Sequence, residues 1–143
     1  MIKHNNNFFL MIMNSFKYIT IDYNRMGRPK LNNYQFYTFV NVNNEIDINF
    51  VGSTANIASR WEYYKRNVNN PTTSKYNSRI MTTIREYGGI NEFKMVLLGS
   101  KDNISLNDSY IIEEKYRQQI KIELHRRNSL MCEEIDKYLN IFK

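Results

Sequence analysis

One cysteine and two histidines in 143 residues leave little material for several common chemistries. Cys132 has no partner for an intramolecular disulfide, and with only His4 and His125 beside it neither a Cys cluster for zinc nor a His-built metal site is expected. An intracellular chain, not a secreted one, is the expectation. Long apolar runs are missing too. The longest near the N-terminus, FFLMIM at 8–13, falls far short of the roughly 20 residues that span a bilayer, and no small-residue cleavage site follows a signal-type segment. Neither a signal peptide nor a membrane partner is expected. Acidic residues are the scarcer charge: 14 Asp and Glu stand against 20 Lys and Arg, a net +6. That excess suits a polyanionic partner, with nucleic acid favoured.

At 143 residues and 42% hydrophobic content the chain suits one packed domain. Residues 1–34 are Asn-rich and basic, with Lys3, Lys17, Arg25, Arg28 and Lys30 against Asp22, or +4 of the total. They read as a partly disordered N-terminal arm. From residue 35 the pattern tightens. FYTFV and INFVG are aromatic and β-branched runs separated by the polar NVNNEID, which predicts a hairpin with strands at 36–42 and 47–52. Thr54 is placed to cap a helix in which Ile57, Trp61, Tyr64 and Val68 form one apolar stripe. After a Pro- and Asn-marked loop, Ile80, Ile84 and Tyr87 define a second helical face, stopped by Gly88 and Gly89. FKMVLLG at 93–99 reads as a buried third strand. Residues 105–125 are helix-compatible, and 129–143 form a separate short C-terminal helix. The fold class expected is α/β, an α+β sandwich in which a small three-stranded antiparallel sheet is flanked by helices.

QFY at 35–37, FVG at 50–52, Arg60 within STANIASRW and a later Glu-bearing helix, IIEEKYRQQI, together resemble the GIY-YIG nuclease family over residues 35–128. The segment KYNSRIMTTIREYGGINEFKMVLL, 75–98, is similar to the stand-alone GIY-YIG proteins of large DNA viruses, which extends the expected location to nucleus or viral factory. The resemblance implies a divalent-metal-dependent endonuclease acting on DNA. Tyr37 falls at the first motif's tyrosine, with Gln35 and Phe36 where the family has Gly and Ile. Gly52 is retained in the second motif, followed by Ser53, while Phe50 stands where the family has its second tyrosine. Arg60 falls at the family's arginine, Tyr64 at a position that carries His or Tyr, Glu114 at the metal-binding glutamate and Asn128 at a late asparagine. Helix periodicity does not choose cleanly between Glu113 and Glu114; Glu114 is preferred by pattern.

The chemistry explains this set. Hydrolysing a phosphodiester needs a positioned water, a proton acceptor and positive charge on the phosphoryl oxygens. Arg60 supplies a permanent, bidentate cation, and one glutamate suffices for Mg²⁺ or Mn²⁺, hard ions that keep most of their waters. Tyr37 is the proton handler, needing the metal, Arg60 or a nearby lysine to favour phenolate over its ordinary pKa of about 10. Tyr64, one turn from Arg60, orients water or phosphate. Lys65, Arg66, Lys75, Arg79 and Arg85 are the expected nucleic-acid-binding cations. The competing expectation is a catalytically weakened descendant that binds nucleic acid without cutting, since Phe50 brings no hydroxyl.

Overall fold

The structure, a computed structural model, describes residues 30–43 and 46–141, with side chains as far as Asn128. Three antiparallel strands form one sheet: β1 (Asn32–Asn41), β2 (Gly52–Thr54) and β3 (Phe93–Ile104), with β1 in the centre. Two shorter helices, α1 (Ile57–Asn67) and α2 (Arg79–Glu86), precede β3, and a long helix, α3 (Leu106–Ile141), follows it. This is the α+β class expected. Most of the N-terminal arm lies outside the described residues.

The central strand shows how the layers arise. In NNYQFYTFVN both faces are apolar or aromatic, and Phe36, Tyr37, Thr38 and Phe39 are all buried. A strand without a polar face must be covered on both sides. Phe36, on one face, packs with Val51, Leu98 and Ile104 against Ile112, Tyr116 and Ile120, a stripe at four-residue spacing on α3. Tyr37 and Phe39, on the other, meet Tyr64 of α1 and its C-cap Val68, Ile80, Met81 and Ile84 of α2, and Phe93. Each such side chain contributes about 1.5–3 kcal/mol on burial. A register shift adds one residue on β3, because Tyr37 pairs with Leu97 but Phe36 with Gly99. The extra residue, Leu98, is buried while Leu97 stays exposed.

Several boundaries differ from the sequence expectation. β1 begins at Asn32, inside the expected arm, and β3 continues to Ile104 instead of ending at 99. β2 is Gly52–Thr54, not 47–52: its ladder pairs Tyr37 with Gly52, Phe36 with Ser53 and Gln35 with Thr54. Upstream, the Thr38 hydroxyl donates to the Phe50 carbonyl at 2.6 Å, so a side chain holds the chain there in place of a ladder. The cap of α1 is Asn56, whose side chain accepts from the Ser59 N–H at 3.0 Å; Thr54 instead accepts from the Asn56 N–H. α2 ends as expected. Gly88 and Gly89 have φ of 97° and 90°, and the Gly89 N–H reaches the Ile84 carbonyl at 2.8 Å, closing the last turn through a conformation open to glycine. Tyr87, expected on the buried face, caps α2 at its C-terminus and is exposed. No separate C-terminal helix begins at 129; α3 runs on to Ile141, because no Gly or Pro interrupts it. Among the described residues no helix is long and apolar enough to cross a membrane.

Candidate active site at the edge strand

Strand β2 lies at the edge of the sheet, and polar groups from β1, α1 and α3 gather beside it. Tyr37 descends from β1 on the α1 side, and its hydroxyl lies 3.3 Å from the Tyr64 hydroxyl within hydrogen-bonding reach. Gly52 is directly opposite Tyr37 in the ladder. A β-carbon there would sit 2.6 Å from the ring Cζ and Oη of Tyr37, so the tyrosine occupies space that only glycine leaves open. Phe50 adds an apolar wall, its ring centroid 6.1 Å from that of Tyr37.

Arg60 comes from the first turn of α1, whose start is held twice. Asn56 caps it, and the Gln35 side-chain carbonyl accepts the Ile57 N–H at 2.7 Å. Sequence reasoning missed Gln35; the available signal was a hydrogen-bonding side chain two residues before Tyr37, where the resembled motif has glycine. The Arg60 guanidinium lies 5.8 Å from the centroid of the Tyr63 ring. No carboxylate among the described residues pairs with it, since Glu62 is taken by Lys65 at 2.5 Å and Glu113 by Ser53. A cation of fixed charge thus acts on two neighbouring phenols.

From α3 it is Glu113 that reaches this edge. Its Oε1 accepts from Ser53 Oγ at 2.5 Å. Glu114, the preferred metal ligand from the sequence, lies elsewhere: it is solvent-exposed and held by Arg117 and by Gln118, the latter at 2.6 Å. Those partners keep its carboxyl below the usual range, Gln118 having the larger effect. The reason is angular. Successive helical residues turn about 100°, so Glu113 flanks the buried stripe of Ile112, Tyr116 and Ile120, whereas Glu114 points away from it.

Burial pushes the Tyr37 phenol well above its ordinary range; the Tyr64 neighbour and the Glu113 charge push the same way, and Arg60 pulls only partly back. Tyr64 is raised as well, chiefly by burial, against the hydrogen bond from Tyr37 and the charge of Arg60. Desolvation penalises the phenolate more than one cation favours it. Of the three influences expected to favour a Tyr37 phenolate, the metal, Arg60 or a lysine, the Arg60 charge by itself does not offset burial. Tyr37 thus lies within the fields of Tyr64, Arg60 and Glu113, and Tyr64 within that of Arg60.

Protein-family models, curated proteins and solved structures offer no match to this chain. No group of three or more His, Cys, Asp or Glu able to hold a metal occurs among the described residues, so any hard cation here would rest on one carboxylate with hydroxyl and water oxygens.

The remaining expected positions divide. Arg85 is turned inward: its two terminal nitrogens donate to the Val68 and Tyr76 carbonyls at 2.7 and 2.9 Å, and its guanidinium lies 3.8 Å from the centroid of the Tyr76 ring. It ties down the 68–78 loop and is not a free cation. Lys65 faces Glu62, and Arg66 bends back toward the Glu62 carbonyl. Lys75 and Arg79 are exposed. Asn128 lies exposed within α3, not at its end.

Proposed function

We propose that this chain is a GIY-YIG-like endonuclease that hydrolyses phosphodiester bonds in DNA with a divalent metal. The supporting observation is convergence: Tyr37 and Tyr64 share a hydrogen bond beside the edge strand, Arg60 acts electrostatically on both, and Glu113 from the long helix reaches Ser53 of that same strand. Arg60 grips the phosphoryl oxygens with two parallel donors and offsets charge as it develops. Tyr64, protonated and paired with Tyr37, donates to a phosphate oxygen or orients the attacking water, whose proton passes to bulk water while solvent protonates the leaving oxygen. Tyr37, buried and neutral, fixes the Tyr64 hydroxyl through their 3.3 Å contact. Glu113 is the oxygen ligand that fits Mg²⁺ or Mn²⁺, one of its oxygens being steadied by Ser53. The bound cation would supply Lewis-acid polarisation of the phosphate. Glu113 thereby replaces Glu114 in the reading of the site.

A second reading, nucleic-acid binding without cleavage, is favoured by Phe50. Its ring packs on Tyr37 and Phe39 and carries no group to donate or ionise.

The test is supercoiled-plasmid nicking in Mg²⁺ or Mn²⁺ beside a binding measurement. Arg60→Ala and Glu113→Gln should each lower the nicking rate by about 10²-fold or more, while Glu114→Gln stays within about threefold of wild type. Equal losses at Glu113 and Glu114 would remove the assignment. Binding with no nicking in either metal would select the second reading.

A further inference from the structure

Between the 47–50 segment and the start of α2 lies an open cavity of about 90 Å³. One water needs roughly 10–15 Å³ on this scale, so the space holds several water-sized groups, and its open mouth lets a planar ring enter in part. Phe50 and Ile80 give it apolar surface, and Asp47, Asn49, Arg79 and Thr83 supply polar groups. The charge is unequal. Asp47 is already paired with Arg127 of α3, while Arg79 has no carboxylate partner among the described residues. Among the described residues, then, the guanidinium at the cavity wall has no ion-pair partner.

We infer that this cavity is a nucleotide pocket, which takes one unstacked base of a bound strand while Arg79 holds that nucleotide's phosphate. The inference rests on the nucleic-acid reading above and adds to it a substrate class. Each part has a chemical reason. An aromatic face stacks on a base whatever its sequence. An amide offers both donor and acceptor, and the Asp47 oxygens accept only, so together they suit a base edge bearing an exocyclic amine. Arginine matches phosphate geometry. Phe50 is shared with the candidate active site, its ring packing on that of Tyr37, so the pocket lies one side chain from the Tyr37–Tyr64 pair. A base within a duplex cannot enter such a space without leaving its stack. Single-stranded, mismatched or looped DNA is accordingly the preferred substrate, and phenylalanine in place of the second motif's tyrosine serves as a stacking wall.

The experiment is an amide NMR titration of the full ¹⁵N-labelled chain with dAMP, deoxyribose 5-phosphate and inorganic phosphate, alongside binding of a single-stranded oligonucleotide. dAMP should shift the amides of 47–50 and 79–83 and bind at least about tenfold more tightly than the sugar phosphate. Arg79→Ala should weaken dAMP by about tenfold or more, the loss expected of a charge-assisted hydrogen bond. Thr83→Phe should fill the cavity and abolish the shifts; if that variant loses its folded spectrum, Asn49→Ala, at an exposed position, carries the same test. Shifts of equal size from phosphate or sugar phosphate would overturn the base pocket in favour of an anion site. Silence of these amides toward dAMP while the oligonucleotide still binds would overturn the pocket and leave the nucleic-acid reading intact. Failure of both ligands to bind would remove both.

Discussion

Replacing Gly52 with alanine adds one methyl group at the most crowded point of the candidate site. That carbon would lie 2.6 Å from Tyr37 Cζ and Oη and 3.1 Å from Cε1, well inside ordinary contact distance. The ring has nowhere to go, because Phe39, Phe50 and Tyr64 surround it with ring centroids 6.0–6.4 Å away. Gly52 is not among the positive-φ glycines, so the penalty is steric. Overpacking of this kind costs about 1–3 kcal/mol, and displacing Tyr37 from Tyr64 forfeits a hydrogen bond worth about 0.5–1.5 kcal/mol. Their sum is about 1.5–4.5 kcal/mol. At a mid-range urea slope of about 2 kcal/mol per molar, the unfolding midpoint should fall by about 1–2 M at unchanged slope. In a double-mutant cycle Tyr37→Leu removes the obstructing ring end, so Gly52→Ala should cost clearly less in that background than in wild type. A Gly52→Ala midpoint equal to wild type, or strict additivity with Tyr37→Leu, would refute the account of why glycine stands there.

Three further outcomes are expected. Because burial raises both Tyr37 and Tyr64, the folded state keeps their protons where the unfolded chain releases them; their contribution to stability is full below about pH 10 and declines as pH rises beyond it, which urea midpoints at pH 8, 10 and 11 would reveal. Arg85→Ala should lower stability by about 1.5–3 kcal/mol by thermal denaturation, with oligonucleotide affinity unchanged and no rescue by lysine, since two carbonyls and a ring face use its planar fork. A loss of affinity without a loss of stability would return Arg85 to the binding surface. Phe50→Tyr should leave the nicking rate unchanged or raise it, a positioned proton-transfer group being worth about 10²–10⁴-fold; a marked drop in a normally folded variant would count against the placement of Phe50 beside the reacting groups.

Local pattern was enough for the elements whose cause is local. Tyr64 on α1 and its C-cap Val68, and Ile80 and Ile84 on α2, recur at helical spacing and are buried, and Gly88 and Gly89 end α2 because a left-handed turn is open to glycine. The apolar run after Phe93 is a strand for the same local reason. What the pattern could not say is where a neighbour begins. The segment before the short β2 is held by a cross-strand hydroxyl from Thr38 to Phe50 in place of a ladder, and the start of α1 by a side chain 22 positions away in Gln35. That Glu113 reaches the edge strand while Glu114 faces Arg117 and Gln118 turns on one 100° step, fixed by which side of α3 meets the sheet.

By itself, then, the amino-acid order determined that this chain forms an α+β unit with a net positive charge and one candidate arginine on a helix following a hairpin. Periodicity and charge are properties of neighbours along the chain, and they survive being read one window at a time. Tertiary structure alone decided the ionisation and orientation of the side chains. Burial beneath α1 and β2 raises the Tyr37 phenol, and among the described residues Arg60 has no ion-pair partner, Lys65 being paired with Glu62 and Ser53 bonded to Glu113. Arg85 is spent on the carbonyls of a loop before it in the chain. Desolvation and partner choice depend on which atoms arrive from elsewhere, so they exist only once the chain has folded.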